Sequence, residues 1–177
     1  MASGGEAAVT IPVRLSWRQM PRPLRALGWW ITVVQLVGYT TSLLFIHHTT
    51  AMTPQGVAAR YRGADSTVTE GSMQFPKSYA EMLTITHTHL LSMAAIFVFS
   101  GVALGLCERP SERWRQVLII EPFGALLVSF GSMWLMRYVD ARFSWLLSLS
   151  SALMALTFYV QSFFILRELG RPVAPTP

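Results

Sequence analysis

Four histidines, in two closely spaced pairs, are the residues of this chain best suited to bind a cofactor. They are His47, His48, His87 and His89. Imidazole is the common axial ligand of haem iron and a good ligand for copper or zinc. Residues 47 and 48 differ by about 100° around a helix and residues 87 and 89 by about 200°, so one member of each pair can face a shared centre. The spacing predicts a metal or haem b site with one axial ligand from each pair. The alternative is that these histidines only make hydrogen bonds at a membrane surface.

Positive side chains occur on the same side of the apolar runs as the histidines, where they could pair with haem propionates. The candidates are Arg60, Arg62 and Arg137, together with Lys77 and Arg142. Methionines near the same level add a copper alternative, because thioether sulfur suits Cu(I). These are Met52, Met73, Met82 and Met93. Methionine in an apolar chain is more often a packing residue, so copper ranks below haem b as the expected cofactor.

Glu121 is the one acidic residue well inside an apolar run, VLIIEPFGALL. An acid within the membrane is costly and suggests a function, so Glu121 is a candidate quinone-contact or proton site. The alternative is an acid near the membrane surface that pairs with Arg113. Pro122 leaves a carbonyl of the preceding turn without its amide partner, which predicts a kink or a shortened helix. Gln161, polar and in mid-span, is expected to join two helices by hydrogen bonding.

Composition indicates that these residues act in a membrane. Of the 177 residues, 52% are hydrophobic and 13% are charged, about half the charged fraction of an ordinary soluble domain. The single cysteine, Cys107, excludes an internal disulfide and a CxxCH haem attachment. The net charge of +5 comes from arginines that flank apolar runs, which favours a membrane over nucleic acid as the partner. No nucleotide-binding or hydrolase motif occurs.

Four apolar runs are each long enough to cross a bilayer, which needs about 20 residues. They cover residues 27–47, 83–106, 117–137 and 144–166. Because lipid cannot satisfy exposed backbone groups, these runs must be helices. The predicted fold class is an all-α integral membrane protein with a four-transmembrane-helix bundle. Residues 1–26 are expected to form a basic cytoplasmic or interfacial segment, in which residues 11–26 form a collar at the membrane surface, and residues 167–177 a cytoplasmic tail.

Arginine distribution predicts the orientation of the bundle. Nine arginines flank the runs on the side of the two termini, against four arginines and one lysine on the other side. By the positive-inside rule, both termini are expected in the cytoplasm and the loop at 48–82 outside. Within that loop, the sequence is typical of a short interfacial helix that starts at Thr53 and ends at Gly63. A capping box, SYAE at 78–81, predicts that the second span begins near Tyr79.

Small residues recur along the last three runs at spacings that let helices approach closely. They are Gly101 and Gly105; Ala125, Ser129 and Ser132; and Ser144, Ser148, Ser151, Ala152 and Ala155. We expect them to pack within the chain, with packing against a neighbouring subunit as the alternative.

Two segments resemble a known group of proteins: HHTTAMTPQGVAARYRG at 47–63 and FPKSYAEMLTITHTHLL at 75–91. They look like segments of small four-span bacterial inner-membrane proteins that are associated with respiratory electron-transfer systems. The resemblance covers under half of the chain and implies the setting of the protein, not the role of any residue. That setting is the bacterial cytoplasmic (inner) membrane, with other membrane or periplasmic subunits of a hetero-oligomeric complex as partners.

The sequence thus supports three hypotheses about function. The first is a membrane subunit of an electron-transfer complex that binds haem b or contacts quinone through the histidines, rather than an enzyme that acts alone. The alternative is a non-catalytic accessory subunit that anchors or stabilises a larger membrane complex. The third is copper or other metal handling.

Overall fold

The computed structural model describes residues 15–63 and 75–172, and this part of the chain is helical, without strands. A 3-10 turn at Trp17–Gln19 precedes five α-helices. Their bounds are α1 Arg22–Thr50, α2 Pro54–Arg62, α3 Tyr79–Gly105, α4 Glu112–Tyr138 and α5 Phe143–Leu169. Parts of the predicted N-terminal segment, loop and tail, at 1–14, 64–74 and 173–177, lie outside the described residues, as does Met73 of the copper alternative.

The helices α1, α3, α4 and α5 are long and apolar enough to cross a membrane. With 27 to 29 residues each, they extend about 40 Å, which exceeds the hydrocarbon thickness of about 30 Å. The predicted four-helix bundle is confirmed. Four crossings put the start of α1 and the end of α5 at one end of the bundle, which we call the terminal end. The opposite end, with α2, is the loop end; which of the two faces the cytoplasm remains a prediction.

The side chains of Thr53 and Ser78 cap the starts of α2 and α3. Thr53 Oγ1 accepts a hydrogen bond from Gly56 N at 3.0 Å, and Gly63, with a φ of 88°, ends α2. Ser78 Oγ accepts from Glu81 N at 3.3 Å, while Glu81 Oε2 accepts from Ser78 N at 2.8 Å. These bonds satisfy amides that have no partner in the first turn of a helix. The predicted capping box is therefore present.

Helix α5 contacts α1, α3 and α4, and its most extensive interface is with α4. Small polar residues bring α4 and α5 together: Ser129 Oγ lies 2.8 Å from Ser150 Oγ. On α3, Gly101 is buried, and a Cβ atom there would lie 3.4 Å from Ile119 Cγ2 of α4, whereas Gly105 faces open space. The serines therefore pack within the chain as expected, but only the first glycine of the GxxxG pair does so.

Pro122 lies inside α4, which continues through it as one helix. Because proline has no amide hydrogen, the carbonyl of Leu118, four residues earlier, lacks its helical partner. The side chain of Gln161 on α5 donates from Nε2 to this oxygen. The expected joining role of Gln161 is confirmed, and the carbonyl that Pro122 frees is the group that it binds. The helix is not shortened at this point.

Arg25 lies at the terminal end of the bundle, in the segment whose sequence predicts a basic collar at the membrane surface. Arg25 is instead only 7% exposed. It donates to the backbone oxygens of Trp17 at 3.0 Å, Leu169 at 2.9 Å and Arg171 at 2.6 Å. A guanidinium has several donors that suit the unpaired carbonyls at the C-terminal end of a helix. Arg25 therefore joins the 3-10 turn, α1 and α5, and the location of residues 1–26 at the membrane surface remains a prediction.

Candidate functional site

The four histidines lie on the exposed surface of α1 and α3. His47 and His48 belong to the last turn of α1, within about 5 Å of its end along the helix axis. His87 and His89 lie about 12 and 15 Å along α3 from its first residue. The two pairs therefore differ in their distance from the helix ends at the loop end of the bundle. A shared centre would need both pairs at a similar depth, and these positions do not support that.

Helical phase also separates the histidines from the bundle interior. On α3, the mean direction of the buried residues lies roughly 100° from His87 and 60° from His89, on opposite sides. On α1, the corresponding angles are roughly 60° for His47 and 160° for His48. His47 and His89 are the members of each pair nearer to the interior, yet both remain exposed.

His89 has one ring nitrogen held by the backbone of its own helix. Its Nδ1 lies 3.0 Å from the carbonyl oxygen of Ile85. Because a carbonyl oxygen only accepts, Nδ1 carries the hydrogen, and in the neutral ring Nε2 is left as an acceptor or metal ligand. This is the ring arrangement common among metal-binding histidines. His89 is thus the best-oriented ligand candidate.

These positions do not fit a haem enclosed between α1 and α3 of one chain. Among the residues that the structure describes, no three His, Cys, Asp or Glu side chains lie close enough to hold a metal ion together. Helices α1 and α3 do make few contacts with each other. The cleft between them, about 260 Å³, lies toward the terminal end, where Gly28 and Gln35 face Ser100 and Ala103. The histidines lie toward the opposite end, and axial ligation remains a prediction.

The candidate propionate partners make contacts that hold the loop end together. Arg62 Nη1 donates to the Met136 carbonyl at 2.8 Å. Arg137 Nε donates to the Lys77 carbonyl at 2.9 Å. The guanidinium of Arg60 lies 5.3 Å from the centre of the Phe45 ring, within the range of a cation–π interaction. These contacts give the three arginines structural roles, and their pairing with propionates remains a prediction.

Tyr61 on α2 and Lys77 connect the two described parts of the loop. Lys77 N donates to the Tyr61 carbonyl at 2.9 Å, and Lys77 Nζ lies 2.8 Å from Glu81 Oε1. Burial of the Tyr61 phenol raises its pKa above the ordinary value. The remaining cation of this group, Arg142, is exposed at the start of α5.

The carboxylate of Glu121 is turned into the protein. Both of its oxygens are buried, and neither makes a hydrogen bond within the described part of the chain. Arg115, toward the terminal end of α4, donates to the Cys107 carbonyl at 2.8 Å and pairs with Glu112. The alternative, in which Glu121 pairs with Arg113, is not formed, since neither oxygen of Glu121 has a hydrogen-bond partner among the described residues. The quinone or proton role of Glu121 remains a prediction.

An ion-pair cluster at the terminal end was not predicted from the sequence. Its centre is Glu168 in the last turn of α5, which is 3% exposed. Glu168 lies 3.5 Å from Arg18 Nε and 3.2 Å from Arg171 Nη1, and Arg18 Nε also lies 3.3 Å from Glu108. An acid at a helix C-terminus opposes the helix dipole and needs nearby cations. The sequence does contain one signal for this cluster: Arg171 follows Glu168 by three residues, a spacing that allows an ion pair at a helix end.

Comparison with known protein families shows the family of the chain. A family model, Aq_1264_TM, described as a transmembrane helical domain, matches residues 51–175, well over half of the chain. The chain belongs to this family. The matched region contains α2 to α5, with His87, His89 and Glu121, and begins just after the end of α1. No curated protein matches the chain, and no solved structure matches it.

Family membership and the four apolar helices agree on the setting. This member of the Aq_1264_TM family is a small four-span, multi-pass membrane protein, and its apolar helix surfaces contact the lipid bilayer.

Proposed function

We propose that this family member is an accessory membrane subunit of a bacterial electron-transfer complex in the inner membrane. Its role is to attach other membrane or periplasmic subunits through an exposed surface of α1 and α3. We use the name polar face for the exposed polar residues on the outer surfaces of these two helices: Thr41, Ser42, His47, His48, Thr84, His87, Thr88, His89 and Ser92. The proposal rests on this surface more than on any other observation.

The polar face is costly to leave in lipid. Its serines and threonines can bond to their own backbone, as Ser42 does to Gly38 at 3.0 Å and Ser92 to Thr88 at 2.8 Å. An imidazole cannot be satisfied completely in this way, since the Nε2 of His89 still needs a partner. At 12 to 15 Å along a membrane-crossing helix, His87 and His89 lie at a depth where lipid tails offer no hydrogen bonds. A neighbouring protein subunit can supply them.

The electron-transfer setting is supported by the resemblance of segments 47–63 and 75–91 to respiratory membrane proteins. The accessory role takes precedence over an electron carrier because the imidazoles do not converge within one chain. Haem b, copper and quinone are not needed for the accessory role. Direct electron transfer becomes the better account only if the isolated chain carries a cofactor.

Purification from bacterial membranes in mild detergent tests this proposal. We expect the tagged wild-type chain to migrate in a complex whose other subunits have reducible absorption bands. The double variant H87L/H89L should lose these subunits while remaining folded, because leucine suits lipid but cannot bond to a partner. The control variants, Leu149→Ile and Leu153→Ile, alter exposed apolar positions of α5 and should retain them.

Two results would contradict the proposal in different ways. A wild-type chain that purifies alone and colourless would remove the complex altogether. A Soret band in the isolated chain that disappears in His89→Leu would instead favour an electron-carrying subunit.

A further inference from the structure

Three polar side chains of α4 and α5, those of Glu121, Gln161 and Ser162, have buried oxygens without a hydrogen-bond partner in the described part of the chain. Gln161 is fully buried and Ser162 is 1% exposed. Within the described residues, Gln161 Oε1 and Ser162 Oγ make no hydrogen bond, and the same holds for both oxygens of Glu121. Gln161 is fixed beside Glu121, because its Nε2 donates to the carbonyl of Leu118, one helical turn away on α4.

The buried atoms without partners in this group are all oxygens that can accept hydrogen bonds. The bond to Leu118 uses one of the two amide hydrogens of Gln161 and orients the amide, and Oε1 is left as an acceptor. The oxygens of an ionised Glu121 are acceptors as well, and the Ser162 hydroxyl can accept two hydrogen bonds. A carboxylate with further acceptor oxygens is complemented by a species that brings a positive charge or a proton.

The surrounding helices provide no positive side chain at this level. Residues 27–46 of α1, 90–105 of α3 and 143–166 of α5 contain no charged residue. The titratable groups on the adjoining helices are phenols: Tyr39 of α1, which is within electrostatic range of Glu121, and Tyr159 of α5, which lies against Tyr39. On α4 itself, the guanidinium of Arg115 is bonded to Cys107 O and Glu112. An ionised Glu121 would therefore have no compensating positive charge from the protein at this level, which is unfavourable in a buried site.

We propose that Glu121 and Gln161 form an interior site between α4 and α5 for a small monovalent cation, either a proton or a sodium ion. The Glu121 carboxylate supplies the charge, and Gln161 Oε1 and Ser162 Oγ supply further acceptors. Gln161 is the positioning residue, because its amide is oriented by the carbonyl that Pro122 leaves free. This site is independent of the polar face, so that either proposal can fail while the other stands.

Infrared spectroscopy and thermal unfolding of the purified full-length protein distinguish the two ions. If the ion is a proton, the wild type has a C=O stretching band of a neutral carboxylic acid near pH 7 that disappears in Glu121→Gln. If the ion is sodium, NaCl raises the Tm of the wild type above its value in choline chloride of equal ionic strength, and the Glu121→Gln variant loses this shift. Glu108→Gln, at an acid that is 44% exposed, is the matched control and should behave as the wild type.

Glu121→Asp keeps the carboxyl group but shortens the side chain by one methylene. This variant tests the site if Glu121→Gln does not fold. We expect the pH midpoint of the carboxyl band, or the sodium concentration for half of the Tm shift, to change at least several-fold. The proposal is overturned if wild-type protein has neither a carboxyl band assignable to Glu121 nor a sodium-dependent Tm. An Asp variant with an unchanged midpoint would also overturn it, since the acceptors would then not depend on the reach of residue 121.

Discussion

Gln161 on α5 donates its side-chain amide to the backbone carbonyl of Leu118 on α4. That carbonyl is free because Pro122, four residues later, has no amide hydrogen to bond with it. A single proline thus creates an acceptor inside the membrane, and a glutamine on the next helix satisfies it. The bond connects the two helices of the most extensive interface in the bundle.

We expect Gln161→Leu to lower the free energy of unfolding by about 1 to 2 kcal/mol, since it leaves the buried Leu118 carbonyl without a partner. Pro122→Ala should reduce this loss, because alanine restores the amide hydrogen that bonds to Leu118. A double-mutant cycle measured by unfolding in detergent tests the coupling. Additive effects of the two substitutions would show that Pro122 and Gln161 are not linked through Leu118.

At Gly28, α1 packs closely against the ring of Trp17 in the 3-10 turn. A Cβ atom at this position would lie 2.7 Å from Cη2 of Trp17, a ring that is itself buried. We expect Gly28→Ala to destabilise the protein by about 1 to 3 kcal/mol through overpacking. Gly38→Ala on the same helix is the control, because nothing lies within 4 Å of its Cβ position. Equal Tm values for the two variants would contradict this packing.

Cys107 is buried at the terminal end, and burial raises the pKa of its thiol from 9.0 to about 12. We expect no labelling of the native protein by thiol reagents at pH 8, and full labelling after denaturation. Because the unfolded thiol ionises at lower pH than the folded one, its contribution to stability is complete below about pH 9 and falls as pH rises toward 12. Cys107→Ser should lack this alkaline loss. Rapid labelling of the native thiol would contradict the burial of Cys107.

Orientation follows from the arginine asymmetry, and both termini are predicted to be cytoplasmic. Since Cys107 is buried, its labelling cannot report the side of the membrane. A cysteine introduced at the exposed position Ser111, in a Cys107→Ser background, can do so. An impermeant thiol reagent added to intact cells should leave it unlabelled, whereas Thr53→Cys at the loop end should react. The reverse pattern would invert the bundle.

Much of the fold could be predicted from local sequence, because each span depends mainly on its own apolar length. The capping box at Ser78 and the helix start at Thr53 are likewise local, so their residue order was sufficient. Contacts between distant segments were not accessible in this way. From its neighbours in the sequence, Arg25 is predicted to lie at the surface. The carbonyls that bind it belong to residues 17, 169 and 171, and two of these are far from Arg25 in the sequence. The surroundings of Glu121 depend on which side of α4 faces α5, and sequence spacing alone does not fix that rotation.

The candidate site could be predicted as a set of residues but not as an arrangement. Helical phase limited each histidine pair to one inward member, yet it could not show whether either member reached the interior. The burial of α3 places His87 and His89 on either side of the packed surface, and neither pair converges. The polar face was therefore recognisable only after the helices had been packed.

Photocrosslinking in intact cells tests the central claim, that the polar face contacts another protein subunit. A photoreactive amino acid is placed at His89, and in a separate variant at Leu149 of α5, an apolar position that is 69% exposed. We predict a discrete protein adduct from position 89, identifiable by mass spectrometry as a subunit of an electron-transfer complex, and mainly lipid adducts from position 149. Lipid adducts alone from both positions would contradict the account.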